Sequence, residues 1–72
     1  MRYTAYIEKD PESGMYIGYV PGLTGAHTCA STMDELQEKL QEVIALCLDE
    51  MDDVEIQQLP VFAGIAQIEV AV

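Results

Sequence analysis

Tryptophan is missing from this 72-residue chain, phenylalanine and histidine occur once each, and cysteine occurs twice. Basic residues are nearly as scarce: Arg2, Lys9 and Lys39 stand against 13 acids, for a net charge of −10. Each shortage removes a class of function. Three scattered cations and a handful of tyrosines make neither a phosphate-binding track nor a base-stacking platform, and the net charge repels nucleic acid and anionic membranes. One histidine and two cysteines fall short of the four ligands of a structural zinc site, and the CxxC and HxxxH spacings are absent. The segment GLTG is too short and too poor in glycine for a phosphate loop, and the helix expected after it opens with acids that would repel an anion. No stretch approaches the roughly 20 apolar residues that cross a bilayer, and the N-terminus has no apolar core of signal-peptide length. The expectation is a cytoplasmic protein with Cys29 and Cys47 reduced, both thiols packed and unreactive.

Half of the residues are apolar, enough to fold despite the charge. A chain this short makes one domain over 1–72 with one thin core, a size at which self-association often adds stability.

Residues 2–8 alternate, with Tyr3, Ala5 and Ile7 on one face and Arg2, Thr4, Tyr6 and Glu8 on the other, as in a half-buried strand. The turn KDPESG leads into a second strand over 15–20, so the two form a hairpin. Gly18 leaves a gap on one face of that strand where another side chain fits. After Pro21 and Gly22 a third short strand spans 26–30, placing His27 and Cys29 on one face and Ala26, Thr28 and Ala30 on the other. Thr32 with Glu35 reads as a capping box, and Ser31 with Asp34 offers the same frame one residue earlier. From 33 to about 51, Leu36, Leu40, Val43, Ile44, Cys47 and Met51 recur at helical spacing, with Leu46 and Leu48 at opposite edges of the stripe. That stripe is wider than one thin sheet requires, which points to a second contact such as a subunit interface. The segment DDVEIQQLP is expected to end the helix and connect, broken at Pro60. Residues 65–72 then alternate again, with Ala66, Ile68, Val70 and Val72 facing one way and Ile65, Gln67, Glu69 and Ala71 the other. The order β-β-β-α-β predicts an α+β domain, an antiparallel sheet with one long helix packed on one face.

His27 and Cys29 are the pair closest to a catalytic dyad, since two strand positions apart put their Cα atoms about 6.5–7 Å from each other on one face. No signature supplies an orienting group or an oxyanion donor, so a strand histidine and a packed thiol are expected instead. Cys47 would add a third soft ligand from the helix, still short of a zinc set. Only Glu8 and Glu69 among the acids belong to strand segments, which does not suit a two-metal hydrolytic centre. No catalytic residue, metal ligand or cofactor is therefore assigned. Nine of the acids lie between positions 34 and 55, where Lys39 is the one basic residue. They form either a solvated face or a docking surface for a basic protein.

Taken together, the opening strand ending IEKD, the run GMYIGYVPGLTG, the helix STMDELQEKLQEVIALCLDE and the last alternating segment resemble the HicB-type antitoxin domain over nearly the whole chain. Thr24 stands where that family usually has proline, and Ala30 and Ser31 where glycine and aspartate are common. The resemblance implies a partial RNase H-like fold lacking the catalytic acids, hence no enzyme. It further implies a small basic partner, an mRNA-cleaving toxin of the HicA type whose active surface the antitoxin masks, and self-association as a dimer or tetramer. The C-terminal DNA-binding segment of many relatives has no counterpart in this sequence, so operator binding is not carried over. A stand-alone oligomer with a regulatory or scaffolding role is the alternative.

Overall fold

Asp10 and Gly14 close the first turn. Gly14 adopts φ 74°, a left-handed value that glycine reaches without steric cost, and its N–H donates to the Asp10 carbonyl at 2.8 Å. The Ser13 hydroxyl donates to the Asp10 carboxylate at 2.8 Å. That bond and the Glu12 amide hold the Asp10 carboxyl below its ordinary pKa. The turn joins β1 (Tyr6–Lys9) to β2 (Tyr16–Tyr19), and β3 (His27–Ala30) follows. The computed structural model describes residues 1–71. Among them the sheet has three strands in the order β1-β2-β3, antiparallel throughout. Ile7 lies opposite Gly18 and Gly18 opposite Thr28, while Tyr6, Tyr19 and His27 form the neighbouring row. The register therefore gives the faces read from the alternation, although residues 2–5 precede the ladder.

The helix α1 (Met33–Asp49) packs across the face carrying Ala5, Gly18, Val20, Ala26 and Ala30. Leu36, Leu40, Val20, Leu23, Ala26 and Ala30 form the buried core, with Val43, Ile44, Cys47 and Leu48 packed around it. The gap at Gly18 is filled as anticipated: a Cβ there would stand 2.8 Å from Leu40 Cδ1 and 3.3 Å from Leu36 Cδ2. The α+β architecture, an antiparallel sheet with one long helix on one face, is the one expected from the order of patterns.

Thr32 caps α1, its hydroxyl accepting from the Glu35 amide at 3.2 Å. The Glu35 side chain turns to other partners, accepting from the Ser31 hydroxyl at 3.4 Å and pairing with Lys39 at 3.3 Å. Thr32→Ala removes the acceptor and is expected to lower stability by about 1 kcal/mol, seen as a fall of roughly 4–8 °C in Tm for a domain of this size. Thr32→Ser should restore most of it; a Tm unchanged by Thr32→Ala would show that the cap is replaced by water.

Two segments differ from the sequence reading. A second helix, α2 (Asp53–Gln57), occupies what was expected to be a connection, started by a complete capping box between Asp52 and Glu55. The last segment is not a strand: residues 60–71 carry neither helix nor ladder and are exposed throughout, and Val72 of the expected strand lies outside the described residues. Alternation assigns residues to two faces, but a strand exists only where an edge is there to pair with it, and the chain leaves its own sheet after Phe62.

Candidate functional site

Among the described residues no helix or strand covers the sheet face away from α1. Tyr6, Tyr19 and His27 form one cross-strand row on that face, and Glu8, Ile17 and Cys29 form the next. The Tyr6 and Tyr19 rings lie 5.7 Å apart between centroids, and Phe62 meets Tyr6 edge-on at 6.3 Å. Such contacts are favourable beyond the area they bury. Tyr6, Ile17, Tyr19 and Phe62 are each about two-fifths exposed, an aromatic and aliphatic patch rimmed by polar groups. Phe62 joins this patch from 56 positions away (62 − 6), and no local pattern marks it for that role.

His27 and Cys29 share this face, as their spacing predicts, and both are exposed. The expectation of a packed thiol holds only in part. Thr28 and Ala30 take the inner positions of β3, so Cys29 projects outward and is a free, exposed thiol. Cys47 is half-buried on the helix side, its thiol donating to the Thr24 carbonyl at 3.5 Å. The sheet thus stands between Cys29 and Cys47, and the three soft ligands that spacing alone allowed do not converge. Among the described residues no group of three or more His, Cys, Asp or Glu side chains gathers at one point.

A second surface is defined by charge. The acids of α1 and α2 are exposed except for Glu35, which is half-buried. Lys39 is engaged twice over, by Glu35 and by the Cys29 carbonyl at 3.1 Å, so it offers little to the acids farther along. The first turn of α1 carries Asp34 and Glu35, where the helix dipole favours them, but no basic residue occupies its last turn. Asp49 and Glu50 instead stand at its negative end, whereas Asp52, Asp53 and Glu55 open α2, where that helix's dipole favours them. Asp49 and Glu50 each cost a few tenths of a kcal/mol up to about 1 kcal/mol, and a cation brought near them relieves it. Two grooves flank these surfaces. One lies between Arg2, Tyr3, Tyr6 and the segment from Leu59 to Gly64. The other runs beside β1 and α1, walled by Ala5, Ile7, Leu40, Ile44 and Leu48. No helix among the described residues is long and apolar enough to cross a membrane.

No family model matches the chain, and no solved structure matches it closely enough to count. Curated relatives do. The chain is 41% identical over 69 residues to a UPF0150 protein of Thermotoga maritima, covering 94% of this chain and 88% of that one. To a UPF0150 protein of Archaeoglobus fulgidus it is 41% identical over 70 residues, covering 97% and 96%. A Synechocystis UPF0150 protein is 42% identical over 64 residues, covering 89% of this chain and 87% of its own length. With identity at that level across nearly the full length of relatives from two bacteria and an archaeon, this chain belongs to the UPF0150 family.

Proposed function

We propose that this protein is an antitoxin-like binding module of the HicB-like kind, whose acidic surface masks a small basic ribonuclease of the HicA type. The observation that carries this reading is the uncompensated charge of α1 and α2. Nine acids fall between positions 34 and 55, and the one lysine among them is already tied to Glu35 and to β3. A face this acidic, with Asp49 and Glu50 also placed against the dipole of α1, gains when a cationic surface closes over it, and complementary charge speeds encounter while disfavouring wrong partners. The apolar patch of Tyr6, Ile17, Tyr19 and Phe62 lies on the sheet face away from α1 and offers a second, separate surface for a protein contact. His27 and Cys29 have Tyr19 and Ile17 as their direct cross-strand neighbours, and Glu8, the carboxylate in the row of Cys29, stands one strand farther off, an arrangement that supports binding over catalysis.

The test is a pull-down of the tagged full chain from its own cell extract, with elution followed as salt rises from about 0.1 M to about 1 M, a change that shortens the Debye length from about 10 Å to about 3 Å. The expected result is a small basic protein that releases with salt and whose RNA cleavage this chain suppresses. A partner indifferent to salt, or recovered RNA cleavage that the chain leaves untouched, would sink the proposal. The alternative reading, an oligomer with a regulatory or scaffolding role, is favoured by one feature, the bare apolar segment after Pro60.

A further inference from the structure

Residues 65–71 carry the alternation of a strand but pair with no sheet. Ile65, Ile68 and Val70 are 81%, 78% and 67% exposed, although they carry the alternation and β-branched side chains that suit a pleated, half-buried strand. At the opposite side of the sheet from β3, β1 is an edge with no strand beyond it among the described residues. One side of it pairs with β2, and the other opens onto the groove walled by Ala5, Ile7, Leu40, Ile44 and Leu48. That groove is an open trough of about 570 Å³ and not an enclosed cavity. A free alternating apolar segment and a free apolar edge in one small acidic protein are complementary surfaces, each costly to leave in water.

We propose that residues 65–71 of one copy add as a fourth strand along the free edge of β1 in a second copy, with the exchange reciprocal in a two-fold dimer. Ala66, Ile68 and Val70 enter the groove, while Gln67 and Glu69 remain on the more polar side. β1 spans the four residues Tyr6–Lys9, about 13 Å at 3.3 Å per residue, a length that the seven residues of the tail cover. Charge agrees as well. Lys9 ends β1 and Arg2 precedes it, two of the three basic residues, and residues 65–71 bear a single charge, Glu69.

The occupant is a second copy because the tail of the same chain is committed elsewhere. Phe62 sits against Tyr6 on the outer face, and the segment from Leu59 to Gly64 lines the groove beside Arg2 and Tyr3, whereas no residue of the tail lines the groove beside α1. Beyond that anchor residues 65–71 are exposed. Tyr3 lines both grooves, yet the described tail leaves the groove beside α1 open, free to take the tail of a second copy. An exchange of identical segments uses in both protomers a contact already encoded in one sequence, so it forms dimers at little added cost.

This dimer does not rest on the masking proposal, and salt separates the two. Two copies each carrying a net charge of −10 repel, so dimerisation strengthens as salt screens that repulsion, opposite to the response of a basic partner. The decisive experiment combines the mass of the full chain by sedimentation equilibrium with filtered NMR on a sample mixing isotope-labelled and unlabelled chains. The expected result is a dimer with intermolecular contacts from the Ile68 and Val70 methyls to Leu40, Ile44 and Leu48. Ile68→Asp, a change at a position exposed in the single chain, should weaken dimerisation at least ~100-fold while the far-UV spectrum of the three-stranded domain persists. A monomer at NMR concentration, tail contacts found only within one chain, a dimer joined elsewhere, or a mass indifferent to Ile68→Asp would each overturn the proposal. Masking would survive any of these outcomes, since it depends on the acidic helices and not on the tail.

Discussion

Leu36→Ala is expected to lower the stability of the folded chain by about 2–5 kcal/mol, the largest loss of any single truncation in this protein. Leu36 is fully buried, the one large side chain with essentially no exposure, and it sits where α1 crosses the sheet. It packs with Ala30 and Leu40, and its Cδ2 stands 3.3 Å from the place a Cβ on Gly18 would take. On the sheet side Gly18, Ala5 and Ala30 are too small to fill the cavity that truncation leaves, and the larger Tyr16 packed there is a rigid ring. The loss should therefore fall toward the upper part of the range. Domains of this length have a total stability of roughly 4–11 kcal/mol, so the variant approaches the point of unfolding. Chemical denaturation measures the difference, and Leu36→Met, which keeps most of the volume, should lose less than about 1.5 kcal/mol. If both variants were as stable as the parent, the helix would not be packed on this face. Leu46→Ala supplies the contrast: Leu46 belongs to the same helix but is 66% exposed, and its truncation should stay within about 0.5 kcal/mol.

That contrast also shows how far the fold can be read from the residues. The stripe of Leu36, Leu40, Val43, Ile44 and Cys47 needs no tertiary information, because helical spacing alone places them on one side. Gly18 could be read as a gap on the same basis. The second helix was legible in principle, since Asp52 and Glu55 carry the spacing of a capping box, but a five-residue helix beside a proline is easily taken for a connection. Other features depend on contacts that no local pattern encodes. The seating of Phe62 on Tyr6 is one, and the side of the sheet on which Cys29 ends up is another. Whether β3 turns its odd or its even positions toward the helix is decided by which row is small enough to lie under Leu36 and Leu40. Ala26, Thr28 and Ala30 meet that condition, so His27 and Cys29 face outward. The alternating tail is the sharpest case: periodicity predicted a strand over 65–72, yet residues 65–71 pair with no strand and are exposed throughout, because alternation supplies two faces and not a neighbouring edge.

Gly22→Ala should destabilise the chain by roughly 2–5 kcal/mol, the sum of about 1–2 kcal/mol for a non-glycine residue in the left-handed region and about 1–3 kcal/mol for overpacking. Gly22 has φ 81°, and a Cβ there would run into the Cδ and Cγ atoms of the Pro60 ring. A proline ring cannot swing aside as a long side chain can. Either the turn containing Gly22 shifts, disturbing the buried Val20 and Leu23, or Pro60 moves and with it the anchorage of the tail. Gly25→Ala separates the two contributions. Gly25 has a similar φ of 87°, but a Cβ there would find only Cys47 Sγ, at 3.8 Å, which is ordinary contact. Backbone strain should appear in both variants, and the excess in Gly22→Ala, about 1–3 kcal/mol, measures the seat of Pro60. A double mutant with Pro60→Ala should recover part of that excess, the coupling expected of residues in direct contact. Equal losses at Gly22 and Gly25 would mean that Pro60 is not held against the turn in solution. The tail would then leave the body before Phe62 reaches Tyr6, and the argument that it is committed away from its own groove would lose its support.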